Sequence, residues 1–197
     1  QDLATHLYRT EKLKKGKSLS EVTRWLNQSL GTTCTIMPMC DAPRQTRIVT
    51  QEGQNLDFQE WFVGQQAKPT VKEISFEGES NPSPQVITAL QDADLIIITP
   101  SNPYVSIDPI VSLRGVREIL ESKVVVGISP IVDGRAVKGP LGAMIPALTG
   151  EPASAKAVMD HYGTLLNGYV VEKGDEKPLG GMPIFPTNTI MGDFVDR

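Results

Sequence analysis

Two apolar runs that each break into a Ser/Pro loop constrain this chain more than any other feature. The first, Asp94-Leu95-Ile96-Ile97-Ile98-Thr99, opens into Pro100-Ser101-Asn102-Pro103-Tyr104-Val105-Ser106; the second, Lys123-Val124-Val125-Val126-Gly127-Ile128, opens into Ser129-Pro130-Ile131. An unbroken Leu/Ile/Val run without polar alternation predicts a strand covered on both faces, as in a parallel sheet with helices above and below. In such sheets ligands bind beyond the carboxyl ends of the strands. Parallel strands would aim both loops the same way, so that Ser101, Asn102, Ser106 and Ser129 converge with nearby backbone N–H groups into a nucleotide mouth. Turn-forming chemistry alone also accounts for a Pro/Ser/Asn loop. The recurrence of small hydroxyl side chains after two successive strands favours a site. For Asp108, Asp133, Arg135 and Lys138, which extend these loops, a solvated surface role accounts for each one taken alone.

The 197 residues suffice for one α/β domain with a small appendage. Asp2 to Lys15 carries Leu3, His6, Leu7 and Leu13 broadly on one helical side and stops at Gly16. Ser18-Leu19-Ser20-Glu21 matches a capping box, and Leu19, Val22, Leu26 and Leu30 form an apolar stripe ending at Gly31. Residues 1–31 are thus the expected hairpin of an inserted helical subdomain, and 32–197 the α/β nucleotide-binding domain. Short edge or flap strands are predicted at Cys34–Met37, Thr46–Thr50, Phe58–Val63 and Val71–Phe76, interrupted by Pro38, Pro43 and a Glu52-Gly53 turn. A helix from Asn81-Pro82-Ser83-Pro84 to Leu90 feeds the first apolar strand. A second, over 107–122 and interrupted at Gly115, leads to the next strand and closes a βαβ unit. A helix at Pro152–Tyr162 and strands at Tyr169–Val171 and Met182–Phe185 follow. The fold class is α/β, a Rossmann-like three-layer domain on a mostly parallel sheet.

Charge narrows the partners. Nineteen Lys+Arg against 23 Asp+Glu give a net −4, with no long basic run, which argues against duplex nucleic acid. No stretch approaches the roughly 20 apolar residues of a membrane span, and the start carries no signal-peptide pattern. The expected location is cytoplasmic, with no membrane partner. Cys34 and Cys40 would lie about 20 Å apart on one extended strand and cannot pair there. His6 and His161 are distant in sequence and are assigned structural roles rather than a zinc site. Met37, Met39 and Met159 fit core gap-filling, and Trp25 and Trp61 fit packing. Phe58-Gln59-Glu60-Trp61-Phe62 is the better candidate for lining a pocket, since it puts aromatics and a carboxylate on a flap. Neither G-x-G-x-x-G nor G-x-x-x-x-G-K-[ST] occurs.

Several strings resemble a known family. Pro100-Ser101-Asn102-Pro103-Tyr104-Val105-Ser106-Ile107 and Ser129-Pro130-Ile131-Val132-Asp133-Gly134-Arg135-Ala136-Val137-Lys138-Gly139-Pro140 closely resemble the CofD family, the 2-phospho-L-lactate transferases, including phosphoenolpyruvate-type donor variants. Asp2-Leu3-Ala4-Thr5-His6-Leu7, Pro38-Met39-Cys40-Asp41, Phe58-Gln59-Glu60-Trp61-Phe62-Val63, His161-Tyr162-Gly163 and Pro186-Thr187-Asn188-Thr189-Ile190-Met191 match in the same order. The resemblance implies transfer of a phospholactyl or phosphoenolpyruvyl group from a guanosine diphosphate conjugate to the deazaflavin Fo. GMP is released, magnesium is required, and the product is the precursor of coenzyme F(420). The SNP and SPI loops would hold the guanosine half, which assigns nucleotide binding to Pro100, Ser101, Asn102, Pro103, Ser106, Ser129, Pro130 and Ile131. Phe58 and Trp61 would shield the flat acceptor. The family's Gly-rich phosphate loop and its acidic magnesium ligands are expected upstream of Gln1, so the chain is expected to be inactive alone, and no catalytic residue is assigned within it. Asp108 stands where the family usually has Gly, and Asn188 where it often has an acid, which bears on donor preference. A homodimer is compatible with the sequence. The competing function is a nucleotide-sugar-binding regulator of the related gluconeogenesis-factor family, which lacks the SNP-x-VSI form.

Overall fold

The computed structural model describes residues 2–79, 81–177 and 179–190. Capping chemistry sets its first turn of chain. After helix α1 (Asp2–Lys14), the Ser18 hydroxyl accepts from the Glu21 N–H at 3.1 Å and the Glu21 carboxylate accepts from the Ser18 N–H at 2.9 Å. This reciprocal pair starts helix α2 (Leu19–Leu30), and Gly31 ends it in the left-handed region at φ 65°. The Ser20 N–H donates to the Asp41 carboxylate at 2.6 Å, which ties the hairpin to the chain beyond it. Of the two helices only α2 buries a residue, Val22. The side of α1 predicted as apolar is open, with Leu3 72% and Leu7 63% exposed.

A three-stranded antiparallel sheet follows, from β1 (Arg44–Thr50), β2 (Asn55–Asp57) and β3 (Val71–Gly78), in the order β2-β1-β3. Two predicted strands are absent. Cys34–Met37 is irregular, held between the Gly31 helix stop and Pro38 with no ladder partner. Phe58–Val63 is helical and includes a π-helical turn over Glu60–Gly64. Its aromatics recur at i, i+3 and i+4, the spacing of one helical face rather than strand alternation. Trp61 is 2% exposed and its indole N–H donates to the Pro69 carbonyl at 2.9 Å, which locks the turn.

The second sheet is wholly parallel. Helix α3 (Pro84–Asp92) leads into β4 (Ile96–Ile98), then a π-helical turn (Pro103–Ile107), α4 (Asp108–Val111), α5 (Val116–Glu121) and β5 (Val125–Ile128). The helix predicted over 107–122 is therefore divided at 112–115, where Ser112 ends α4 and the Gly115 backbone, at φ 77°, starts α5 afresh, while Pro109 sits in the first turn of α4, where a proline is tolerated. The hairpin β6 (Ile131–Val132) and β7 (Arg135–Ala136), helices α6 (Leu141–Thr149) and α7 (Ala155–Tyr162), β8 (Gly168–Glu172) and β9 (Ile184–Thr187) complete the chain. The order is β4-β5-β8-β9, with Ile98 opposite Gly127 and Gly127 opposite Tyr169. Space is tight at Gly127: a Cβ there would lie 3.0 Å from the Leu166 side chain and 3.2 Å from that of Tyr169, so a larger residue would make these side chains give way.

One sheet face carries the core. Ile98, Val125, Tyr169 and Val171 share a buried cluster with Met144 and Ile145 of α6 and Val158 and Tyr162 of α7. The opposite face departs from the two-sided burial that the apolar runs predict: Leu95, Ile97, Val124 and Phe185 are 50%, 54%, 51% and 51% exposed. No helix among the described residues is long and apolar enough to cross a membrane. Ile97 is the apolar residue of the edge strand β4 on this open face. Ile97→Glu is therefore expected to change unfolding free energy by roughly 0.5 kcal/mol or less in urea titration, and to reduce the binding of an apolar fluorescent dye to the chain.

Candidate functional site

Parallel pairing of β4 with β5 sends both Ser/Pro loops out of the same end of the sheet. There they border a cavity of about 550 Å³. Pro100, Ser101, Asn102, Val105 and Ser106 form one wall, and Ser129 and Pro130 the next. The segment Val137–Leu141, which joins β7 to α6, continues the rim. Phe58 and Phe62 come across from the helical segment between β2 and β3, beside the antiparallel sheet, and Thr189 and Ile190 follow β9. Phe58 and Phe62 are stacked, with ring centroids 5.5 Å apart and planes 10° apart.

The polar groups divide into those that shape the loops and those left open. Asn102 is a shaping group: its side-chain oxygen accepts from the N–H groups of Tyr104 at 3.0 Å and Val105 at 3.4 Å. Its amide nitrogen donates to Met144 Sδ at 3.3 Å, which ties the turn to α6. Ser129 is another, 2% exposed, with Oγ donating to the Ile131 carbonyl at 2.9 Å and accepting from the Ile131 N–H at 3.1 Å. The hydroxyls of Ser101 and Ser106 have no partner among the described residues and border the cavity. Helix α6 begins without a side-chain cap, so its first free amides add partial positive charge on the wall at Leu141.

Six of the eight residues predicted from sequence border this cavity: Pro100, Ser101, Asn102, Ser106, Ser129 and Pro130. Pro103 and Ile131 lie in the core behind it. The sequence profile of the family described as 2-phospho-L-lactate transferase CofD matches residues 1–178.

The chain belongs to the CofD family.

A 2-phospho-L-lactate transferase of Methanosarcina mazei is 38% identical over 177 residues, covering 89% of this chain and 58% of that protein. A phosphoenolpyruvate transferase of Thermobifida fusca is 36% identical over 181 residues, covering 89% and 56%. A 2-phospho-L-lactate transferase of Methanocaldococcus jannaschii is 33% identical over 204 residues, covering 100% and 65%. This CofD-family chain thus spans 56% to 65% of the length of these relatives. A crystal structure of a UPF0052 family member from Bacillus halodurans superposes with a TM-score of 0.63 at 16% identity, covering 92% of this chain and 59% of that one, which shows a shared fold.

The CofD resemblance points to the aromatic segment, and the geometry sorts it. Trp61 packs behind the cavity, while Phe62, 36% exposed, takes the position at the wall that the sequence suggested for Trp61. The i, i+4 spacing of Phe58 and Phe62 was the available signal for this pair. Thr189 and Ile190 were missed because only tertiary folding carries them to the rim. Met191, the last residue of that matching string, lies outside the described residues. Glu172, on β8, holds this rim: its carboxylate accepts from the Thr189 N–H at 2.6 Å and the Thr189 hydroxyl at 2.7 Å. The hydroxyl bond first, and then the N–H bond, hold the Glu172 carboxyl below its ordinary value of 4.5.

On the far side of the Pro103–Ile107 turn lies a second cleft, bordered by Tyr104, Asp108 and His161. His161 Nε2 is 3.0 Å from Asp108 Oδ1, and the His161 ring lies 4.4 Å from that of Tyr104. This pairing fastens α7 to the end of the Pro103–Ile107 turn. Burial, reinforced by Asp108, pushes the Tyr104 phenol up. Cys40 is buried and Cys34 exposed, and both are free thiols.

Two outcomes follow. Asn102→Ala removes the acceptor for two amides and is expected to cost about 1 kcal/mol of stability, with a range near 0.5–2, read by urea unfolding. For Glu172 the folded value lies below the unfolded one, so the rim tether is at full strength above 4.5 and is lost as pH falls through the lowered value. The Thr189 amide resonance should titrate in that acidic range in the native chain and stay flat in Glu172→Gln.

Proposed function

We propose that this cavity binds a guanosine diphosphate conjugate of lactate or enolpyruvate together with the deazaflavin Fo, and that the complete protein transfers the phosphorylated three-carbon acid to Fo. The observation that carries this reading is the meeting, in one cavity of a CofD-family chain, of two hydroxyl-bearing loops and a stacked aromatic pair. The loops suit a polar nucleotide and the pair suits a flat ring. In the reaction, the Fo hydroxyl oxygen forms a bond to the phosphorus that bears the acid, and the hydroxyl proton is released to solvent. The bond from that phosphorus to the bridging oxygen breaks, and the bridging oxygen leaves on GMP. The product is the precursor of coenzyme F(420).

The chemistry asks for in-line placement and exclusion of water more than for a special nucleophile. Ser101 and Ser106 offer free hydroxyls to the nucleotide half, while Asn102 and Ser129 keep the loops in the shape that presents them. Phe62 offers its ring to the deazaflavin, backed by Phe58. Magnesium would neutralise the diphosphate, but the residues in hand do not supply its site. No carboxylate borders the cavity among the described residues, and these contain no group of three or more His, Cys, Asp or Glu side chains placed to hold a metal ion.

The test is binding to the chain itself. Fo should bind with quenched fluorescence, and Phe62→Leu should weaken it roughly tenfold while GDP affinity holds, the value expected for loss of one aromatic stacking contact of about 1 kcal/mol or more. A chain that binds neither GDP nor Fo overturns the reading.

A further inference from the structure

Lys138 is the one charged side chain among the described residues that border the cavity. The other borders are hydroxyl, amide, proline or apolar groups. Lys138 has no ion pair or hydrogen bond to any described residue, whereas Arg47, Arg117 and Lys156 are each paired with a carboxylate. An unpaired ammonium beside low-dielectric walls is a standing attraction for an anion.

Its backbone is held in place from both sides. The hairpin β6–β7 turns at Asp133 and Gly134, which take φ 48° and 69°, and the Asp133 N–H donates to the Asp175 carboxylate at 3.0 Å. Past the hairpin the Val137 N–H donates to the Pro130 carbonyl at 3.2 Å, joining this segment to the SPI loop. Gly139, at φ 71°, and Pro140 then turn the chain into α6. The lysine therefore stands on a short, fixed stretch with its exposed side chain above it. That combination suits a contact that follows charge as it shifts between oxygens, since an ammonium is a compact point charge on a flexible stem.

We propose that Lys138 reads the anionic part of the donor, its ammonium contacting a phosphoryl oxygen of the diphosphate. The inference rests on the nucleotide reading given above and adds to it the residue that separates a charged donor from a bare nucleoside. On this view the hydroxyl loops recognise the uncharged half and Lys138 the charged half. The contact is electrostatic, so added salt weakens it.

The experiment is calorimetric titration of the 197-residue chain and its Lys138→Met and Lys138→Arg variants with GDP, guanosine and inorganic pyrophosphate. Lys138→Met should weaken GDP and pyrophosphate about ten- to a hundredfold and leave guanosine within about twofold, and Lys138→Arg should recover most of the loss. Because Lys138 is exposed, its variants should keep the thermal melting curve of the parent chain. Equal affinity of parent and Lys138→Met for both GDP and pyrophosphate overturns the contact, as does a parent chain that binds neither. If guanosine fails to bind but pyrophosphate binds in a Lys138-dependent way, the nucleoside reading falls and the anion contact stands. If guanosine binds and GDP gains nothing from Lys138, the reverse holds.

Discussion

The side-chain amide of Asn102 is the contact on which the shape of the site depends. Strand β4 ends in Thr99-Pro100-Ser101, and the chain must then reverse into a π-helical turn whose first amides have no helical partner. Asn102 meets two of them with one oxygen and reaches Met144 of α6 with its nitrogen. A single residue thereby fixes a strand end, a turn and a helix relative to one another. Ser129 does the same for the second loop, closing on Ile131 from a fully buried position.

Around these two anchors the cavity is assembled from parts with different physical origins. The parallel sheet contributes polarity, because strands that run the same way deliver their loops to one edge. The helical segment between β2 and β3 contributes an aromatic pair, held by the hydrogen bond of Trp61 to the Pro69 carbonyl. The β6–β7 hairpin and the start of α6 contribute a lysine and free helix amides. The open face of the parallel sheet, with Ile97 and its neighbours half exposed, belongs to a chain that spans only part of the length of its CofD relatives.

Much of this was legible in the residues. The apolar runs located β4 and β5, the capping box located α2, and the punctuation Ser/Pro after each run located the loops. Six of the eight assigned residues border the cavity because loops that follow parallel strands have little freedom about which end of the sheet they leave. The errors have physical causes. Phe58–Val63 looked like a strand because aromatics favour strands, but their i, i+3, i+4 spacing and the indole bond to Pro69 favour a helical turn. The same apolar character that located β4 and β5 said nothing about whether both faces find cover within the chain.

The amino-acid sequence by itself determined the α/β class, the parallel pair of strands, the loops at their ends and the family to which the chain belongs. These follow from local periodicity, capping and turn chemistry, which act over a few residues. Tertiary structure alone decided that Asn102 and Ser129 shape the loops, that the Ser101 and Ser106 hydroxyls and the Lys138 ammonium face the cavity without a partner among the described residues, and that Phe62 rather than Trp61 meets the cavity. Which atoms of a polar side chain are already satisfied depends on partners distant in sequence, such as Met144 for Asn102, and only folding brings those partners together.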